Sequence, residues 1–144
     1  MIIGIDFDGT CVTHDFPRVG KNIGSVPVLK KLVEKGHQLI LFTMRGNKPN
    51  PEPVGPEIIP EGGDHLTTAV NWFKENDIPL YGIQTNPTQK NWTNSPKAYC
   101  QLYIDDAALG IPLTDDPDLS DRPYVDWDAV EDMLLEMNLI GGLD

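Results

Sequence analysis

The chain has 144 residues and a formal net charge of −11, with 22 Asp and Glu against 11 Lys and Arg. That length fits one domain over residues 1–144, large enough to bury a core without disulfides, and the charge excludes nucleic acid as a partner, since such binders need a basic face to displace counterions. Cys11 and Cys100 are far apart and show no C-x-x-C spacing, which excludes a zinc site or a redox pair and suits a reduced cytoplasm.

Met1 leads directly into Ile2, Ile3, Ile5 and Phe7 without a basic region or a cleavage site, so no signal peptide is expected. No apolar run approaches the roughly 18 residues of a membrane-spanning helix, and the chain reads as cytoplasmic with no membrane partner. Ile2 to Phe7 reads as a strand buried on both faces. Ser25 is placed to cap a helix with Pro27 in its first turn, Val28, Leu29, Leu32 and Val33 on one face, and Gly36 as its stop. His37 to Thr43 is a second buried strand. From Asn47 to Gly63 the prolines 49, 51, 53, 56 and 60 exclude helix and sheet; this reads as a solvated loop, ahead of a short substrate lid or a partner-docking segment. Asp64 is placed to cap a helix through Asn76 with an apolar stripe of Leu66, Val70 and Phe73. Leu80 to Gln84 is a weaker third strand and Cys100 to Asp106 a fourth. Asp126 is placed to cap a last helix that buries Trp127, Val130, Leu134 and Met137.

Strands alternating with helices imply a mostly parallel sheet with right-handed crossovers and helices on both faces, a doubly wound α/β domain. Ligands bind such sheets at the carboxyl ends of the strands. Asp6 and Asp8, Thr43, and Asp105 with Asp106 stand at predicted strand ends, and Arg18, Lys21, Arg45, Lys48 and Lys90 follow strand ends too. An acidic chain with a basic rim at that edge points to a small anionic ligand.

Asp6 and Asp8 are two apart, so both side chains project to one side if the strand persists through them. Close carboxylates force one to take a proton unless a cation lies between them. Asp105 and Asp106 add two more acids, and an oxygen-only set with no His or Cys cluster selects Mg²⁺. A calcium loop fails on spacing, since Thr10, Cys11 and Pro17 stand where an EF-hand needs an acid, a Gly and a Glu. A carboxylate is also a nucleophile toward phosphorus, and that reaction needs a metal, a hydroxyl, a lysine and a second acid. Asp6 suits the nucleophile, Asp8 the acid and then base, and Thr43 the hydroxyl.

The ordered set D-x-D-G-T at residues 6–10, Thr43 at the second strand, a Lys before the fourth strand and the acidic pair at its end resembles the haloacid dehalogenase (HAD) superfamily of phosphohydrolases. The segment WTNSPKAYCQLYIDDAALG, from Trp92, resembles its small, nearly capless members. The resemblance implies a Rossmann-like core and Mg²⁺ held by Asp6, the backbone carbonyl of Asp8, Asp105 and Asp106. It also implies that Asp6 attacks, that Asp8 is the acid/base, and that Thr43 and a lysine bind phosphate. Lys97 matches the motif text, whereas Lys90 lies nearer a strand end; eight extended residues below Asp105, Lys97 would stand more than roughly 20 Å away. Both are carried, with Lys90 favoured on geometry. Arg45, two residues past Thr43, is placed to grip a second anionic group of the substrate. His14 reads as a bystander, and Trp92 is placed to stack on a sugar or base.

The expected activity is a Mg²⁺-dependent phosphatase acting on small phosphorylated substrates through an aspartyl-phosphate on Asp6. With no room for a cap domain the site is open, which suits bulky substrates or closure by a neighbouring subunit in a homo-oligomer. Two alternatives come from other classes. One is a catalytically silent module that binds a phospholigand on the same fold. The other is a receiver-like phospho-acceptor domain, which would place its accepting Asp after the third strand, where Gln84 and Thr85 stand instead.

Overall fold

A computed structural model describes residues 1–48 and 63–141. Four short strands form a parallel sheet: β1 (Ile2–Ile5), β2 (Gln38–Leu41), β5 (Gly82–Ile83) and β6 (Leu102–Ile104), in the order β5-β2-β1-β6. Three helices accompany it, α1 (Ser25–Glu34), α2 (His65–Glu75) and α3 (Trp127–Glu136). Two antiparallel ribbons complete the regular structure, β3 (Asn47–Lys48) with β4 (Gly63–Asp64) and β7 (Leu113–Thr114) with β8 (Tyr124–Val125). Every expected strand and helix exists, but the strands are shorter than their apolar runs. The proline-rich stretch is flanked by a ribbon rather than being wholly irregular, because Asn47 and Lys48 pair with Asp64 and Gly63. Residues 49–62, and the lid reading with them, lie outside the described residues.

The register decides where the chemistry falls. Ile5 pairs with Leu41 and with Ile104, and Leu41 pairs with Ile83. The residues that follow, Asp6, Phe42, Asp105 and Gln84, therefore leave the sheet on one level at its carboxyl edge. The Asp6 amide still donates to the Ile104 carbonyl at 3.0 Å, so β1 and β6 deliver their acids side by side.

Side chains alternate along a strand. Ile3, Ile5, Leu39, Leu41 and Ile104 share one face and join a single buried cluster with apolar residues of α1, α2 and α3. Gly4, Ile40, Gly82 and Tyr103 take the opposite face. Loop 84–100 packs there: a Cβ on Gly82 would stand 2.3 Å from the Thr85 carbonyl oxygen, and one on Gly4 3.1 Å from Cys100 Sγ. Its regular structure is one 3-10 turn at Gln89–Asn91. Buried Gln89 stands in for a helical ladder, its amide donating to the carbonyls of Ser95 and Lys97 and accepting from the Tyr99 amide. Helices on one face and a braced loop on the other is what these contacts show, where helix cover on both was expected.

The caps correct the sequence reading in detail. Ser25 is the first residue of α1 rather than its cap; Gly24, with φ 92°, takes the cap position and the Ser25 hydroxyl donates to the Cys11 carbonyl. Asp64 holds the cap position of α2 without a side-chain bond, and Asn47 Oδ1 instead accepts from the Leu66 and Thr67 amides at 3.1 Å. Asp126 caps α3 as expected, accepting from the Ala129 amide, while Met137 ends that helix exposed. No helix among the described residues is long and apolar enough to cross a membrane.

The contact of Gly82 with loop 84–100 is testable. Gly82→Ala would press a methyl into the Thr85 carbonyl, and the expected loss is about 1–3 kcal/mol of unfolding free energy in urea titration. An unchanged midpoint would show that the loop does not sit tightly on this face.

Candidate functional site

β1 ends at Ile5 because the chain turns: Phe7 accepts from the amides of Thr10 and Cys11, and the Gly9 amide donates to the Val12 carbonyl. Gly9 sits at φ +79°, a conformation glycine adopts without strain. The turn folds Thr10 back beneath Asp6. Its fully buried hydroxyl donates to Asp6 Oδ2 at 2.7 Å and accepts from the Asp106 amide at 2.9 Å. Carboxylate oxygens of Asp6, Asp105 and Asp106 lie within 4.8 Å of one another. Burial, with the neighbouring carboxylates adding to it, pushes the Asp6 carboxyl from 3.8 to about 8 against the opposing bond from Thr10. Asp105 is also raised, again chiefly by burial.

Asp6 and Asp105 line a cleft of about 300 Å³ with Phe42, Thr43, Met44 and Gln84. Gln84, at φ 65°, fixes the far wall: its Oε1 accepts from the Thr43 amide at 2.8 Å and its Nε2 donates to the Thr43 and Arg45 carbonyls. Thr43 Oγ1 accepts from the Arg45 amide, which leaves the hydroxyl proton for a ligand.

Asp6 and Asp8 do not project together, because the strand stops before them. Asp8 lies outside the acidic cluster and its carboxylate meets Arg45, which donates from Nε to Oδ2 and from Nη2 to Oδ1, both at 2.8 Å. Arg45 is a second correction. It is 3% exposed, and its remaining donors reach the carbonyls of Pro17, Arg18 and His65. The guanidinium lies 5.0 Å from the Phe7 ring centroid and 5.1 Å from that of Phe16. With all five N–H groups engaged, Arg45 has none left for a substrate anion. It ties the end of β1 to loop 15–18 and to the start of α2.

Neither lysine lines the cleft. Lys90 is exposed on the 3-10 turn, and exposed Lys97 holds its ammonium 5.7 Å from the Tyr103 ring centroid. The basic rim is not assembled as expected either, since Arg18 pairs with Asp15 at 3.1 Å and Arg45 turns inward. Trp92 stays in the exposed loop against Tyr99.

Three residues at the site were given no role by the sequence reading. Thr10 was visible as the last letter of D-x-D-G-T, but its link to Asp106 spans 96 positions. Gln84 was the expected end of a strand. His14, set aside as a bystander, places Nε2 2.9 Å from Asp106 Oδ2. Cys11 is close as well, donating to the Asp6 carbonyl, but burial pushes its thiol well up and leaves it unreactive.

No family model and no curated protein matches this chain. A solved structure from Bacteroides thetaiotaomicron, described as that of a conserved protein coded by locus, is similar at 29% identity with a TM-score of 0.69, over 95% of this chain and 91% of that one. The similarity extends the α/β fold to a second protein and carries no activity with it.

The Asp8–Arg45 pair predicts a large cost on truncation. Arg45→Ala leaves a half-buried carboxylate and three carbonyls without partners, for a loss of about 3–5 kcal/mol. Arg45→Lys recovers little of it, because an ammonium lacks the planar fork. A denaturation midpoint near wild type in either variant would contradict this account of the pair.

Asp6 predicts a pH dependence. Between 3.8 and about 8 the unfolded carboxyl has lost its proton while the folded one keeps it. The folded state binds more protons over that window, so stability in chelator falls as pH rises through it. Asp6→Asn is expected to remove this part of the slope; equal slopes for the two proteins would place the Asp6 carboxyl in an ordinary environment.

Proposed function

We propose that the chain is a phosphohydrolase that transfers a phosphoryl group from a small phosphomonoester to Asp6 and then to water. One observation carries the reading: the Asp6 carboxylate, held by Thr10 at the end of β1, stands among Asp105 and Asp106 at the mouth of a cleft that also presents Thr43. A haloacid dehalogenase-like core, Rossmann-like and carrying a loop on one face in place of helices, and a cytoplasmic location belong to the same reading.

Mg²⁺ fits the donor set. The cluster offers hard carboxylate oxygens within 4.8 Å of one another, the oxygen-only donor set that Mg²⁺ takes. Asp6, Asp105 and Asp106 would hold it, with the Asp8 carbonyl as the further ligand implied by the resemblance. Bound there, it would neutralise negative charge on these carboxylates and on a phosphoryl group.

In the first step an Asp6 oxygen attacks phosphorus, the bond from phosphorus to the ester oxygen breaks, and the alcohol leaves with a proton. In the second step water attacks the aspartyl-phosphate, releasing inorganic phosphate and restoring the carboxylate. The Thr43 hydroxyl donates to a phosphoryl oxygen. Asp8 serves as the proton carrier in this scheme, and to do so it must free one oxygen from Arg45. Lys90 and Lys97 lie outside the cleft, so in this scheme the Thr43 hydroxyl holds the phosphate without them.

A second reading is favoured by a specific pair of observations. Arg45 occupies both oxygens of Asp8, and the cleft has no lysine in its lining. A silent module that binds a phospholigand needs neither group.

Hydrolysis of an aryl phosphate, with and without Mg²⁺, separates the two. Mg²⁺-dependent turnover that drops to background in Asp6→Asn supports the phosphatase. Turnover that survives Asp6→Asn rules out the covalent scheme. Calorimetric binding of inorganic phosphate with no turnover would favour the silent module.

A further inference from the structure

The carboxylates of the cluster are each already held on one side by the protein. Asp6 Oδ2 accepts from Thr10 at 2.7 Å, Asp105 Oδ1 accepts from the Ala107 amide at 2.8 Å, and Asp106 Oδ2 meets His14 Nε2 at 2.9 Å. The 3.5 Å approach of the Thr10 hydroxyl to Asp106 Oδ1 is not a competing bond, because its single proton points to Asp6. One oxygen of each carboxylate lies within 4.8 Å of the others, and on Asp106 the oxygen not bonded to His14 is Oδ1.

Thr10 and the Ala107 amide are local to the carboxylates they hold or lie within their turns. His14 is different. It belongs to the loop after β1, and it fixes an acid delivered by β6, 92 positions away. Its ring also sits directly on the backbone of Gly9, where a Cβ would approach Nε2 to 2.0 Å and Asp106 Oδ2 to 2.7 Å. The glycine of D-x-D-G-T therefore makes room for the His14–Asp106 contact as well as for the turn. The side chain of His14 is 14% exposed and that of Asp106 19%, so water competes weakly for this bond.

We infer that His14 is a positioning residue: by donating from Nε2 to Asp106 Oδ2, it prevents that carboxylate from rotating and leaves Oδ1 as its one oxygen for the cation. This rests on the reading of Asp6, Asp105 and Asp106 as a Mg²⁺ site. An acid free to rotate would lose time in geometries that present the wrong oxygen, and outer partners of this kind typically change metal affinity about 10–100-fold. The nearly octahedral demand of Mg²⁺ makes it sensitive to such freedom.

The test uses Mn²⁺ as probe, with free ion counted by electron paramagnetic resonance on the full chain. Wild type is expected to bind and Asp6→Asn to bind poorly. His14→Leu is expected to weaken Mn²⁺ binding about 10–100-fold. His14→Gln, whose amide can donate to the same oxygen, is expected to recover most of that loss. Wild-type affinity in His14→Leu overturns the inference, and so does an equal loss in His14→Gln, which would point to ring packing rather than the bond. Nitrogen-15 spectra of the His14 ring in wild type with Mg²⁺ provide a check that survives a failure of the variants to fold. A proton on Nε2 supports the inference; the tautomer protonated at Nδ1 alone overturns it. Wild type that binds no Mn²⁺ overturns the cation reading and this inference with it. Binding without hydrolysis removes the phosphatase scheme but leaves the role of His14 standing.

Discussion

The arrangement hangs on the buried hydroxyl of Thr10. It donates to Asp6 and accepts from the Asp106 amide, while the Thr10 carbonyl accepts from Trp127 Nε1 at 2.7 Å. One residue thereby joins the end of β1, the end of β6 and the start of α3. A buried hydroxyl with every bond made is stable where an unsatisfied one would be costly. Alanine or valine at this position would remove the hydroxyl that Asp6 Oδ2 and the Asp106 amide both bond. The parallel register brings the two strand ends level, and Thr10 turns that proximity into a fixed spacing between acids.

That spacing concentrates negative charge, and the chain divides it. Asp8 is neutralised by a guanidinium whose own donors are all engaged. Asp6, Asp105 and Asp106 have no such partner among the described residues except His14 on the outer oxygen of Asp106. The pair D-x-D is therefore two different groups that happen to be neighbours: one built into the frame, the other kept in a charge-poor pocket where its carboxyl is pushed up by burial. A carboxyl so displaced is unfavourable for the frame alone, which is why the proposed reading gives the cluster a ligand rather than a structural role.

The sequence revealed the strands, the helices and the edge at which the acids meet, because apolar periodicity and caps are local signals. Asp126 capping α3 is one such case. What escaped it was long-range. Nothing near Arg45 announces that its partner is Asp8, 37 positions earlier, and a loop arginine after a threonine at a strand end resembles a substrate contact as much as a clamp. Likewise Asn47 caps α2 from the preceding ribbon, about twenty positions away, in place of the local Asp64. His14 was set aside because a lone loop histidine has no pattern; its meaning comes from an aspartate on another strand and from the space above Gly9.

The loop on the second face of the sheet links the fold to the limits of the proposed chemistry. Gln89 braces that loop, and Lys97 is drawn over the Tyr103 ring. With loop cover on this face, Phe42 and Thr43 border the cleft. The loop cover thus goes with a cleft whose lining holds no lysine. A phosphoryl group entering this cleft would have to be held by the Thr43 hydroxyl and whatever cation the three carboxylates retain. The phosphatase reading therefore depends more on the geometry of that cluster, and on the residues that orient it, than a site carrying its own lysine would.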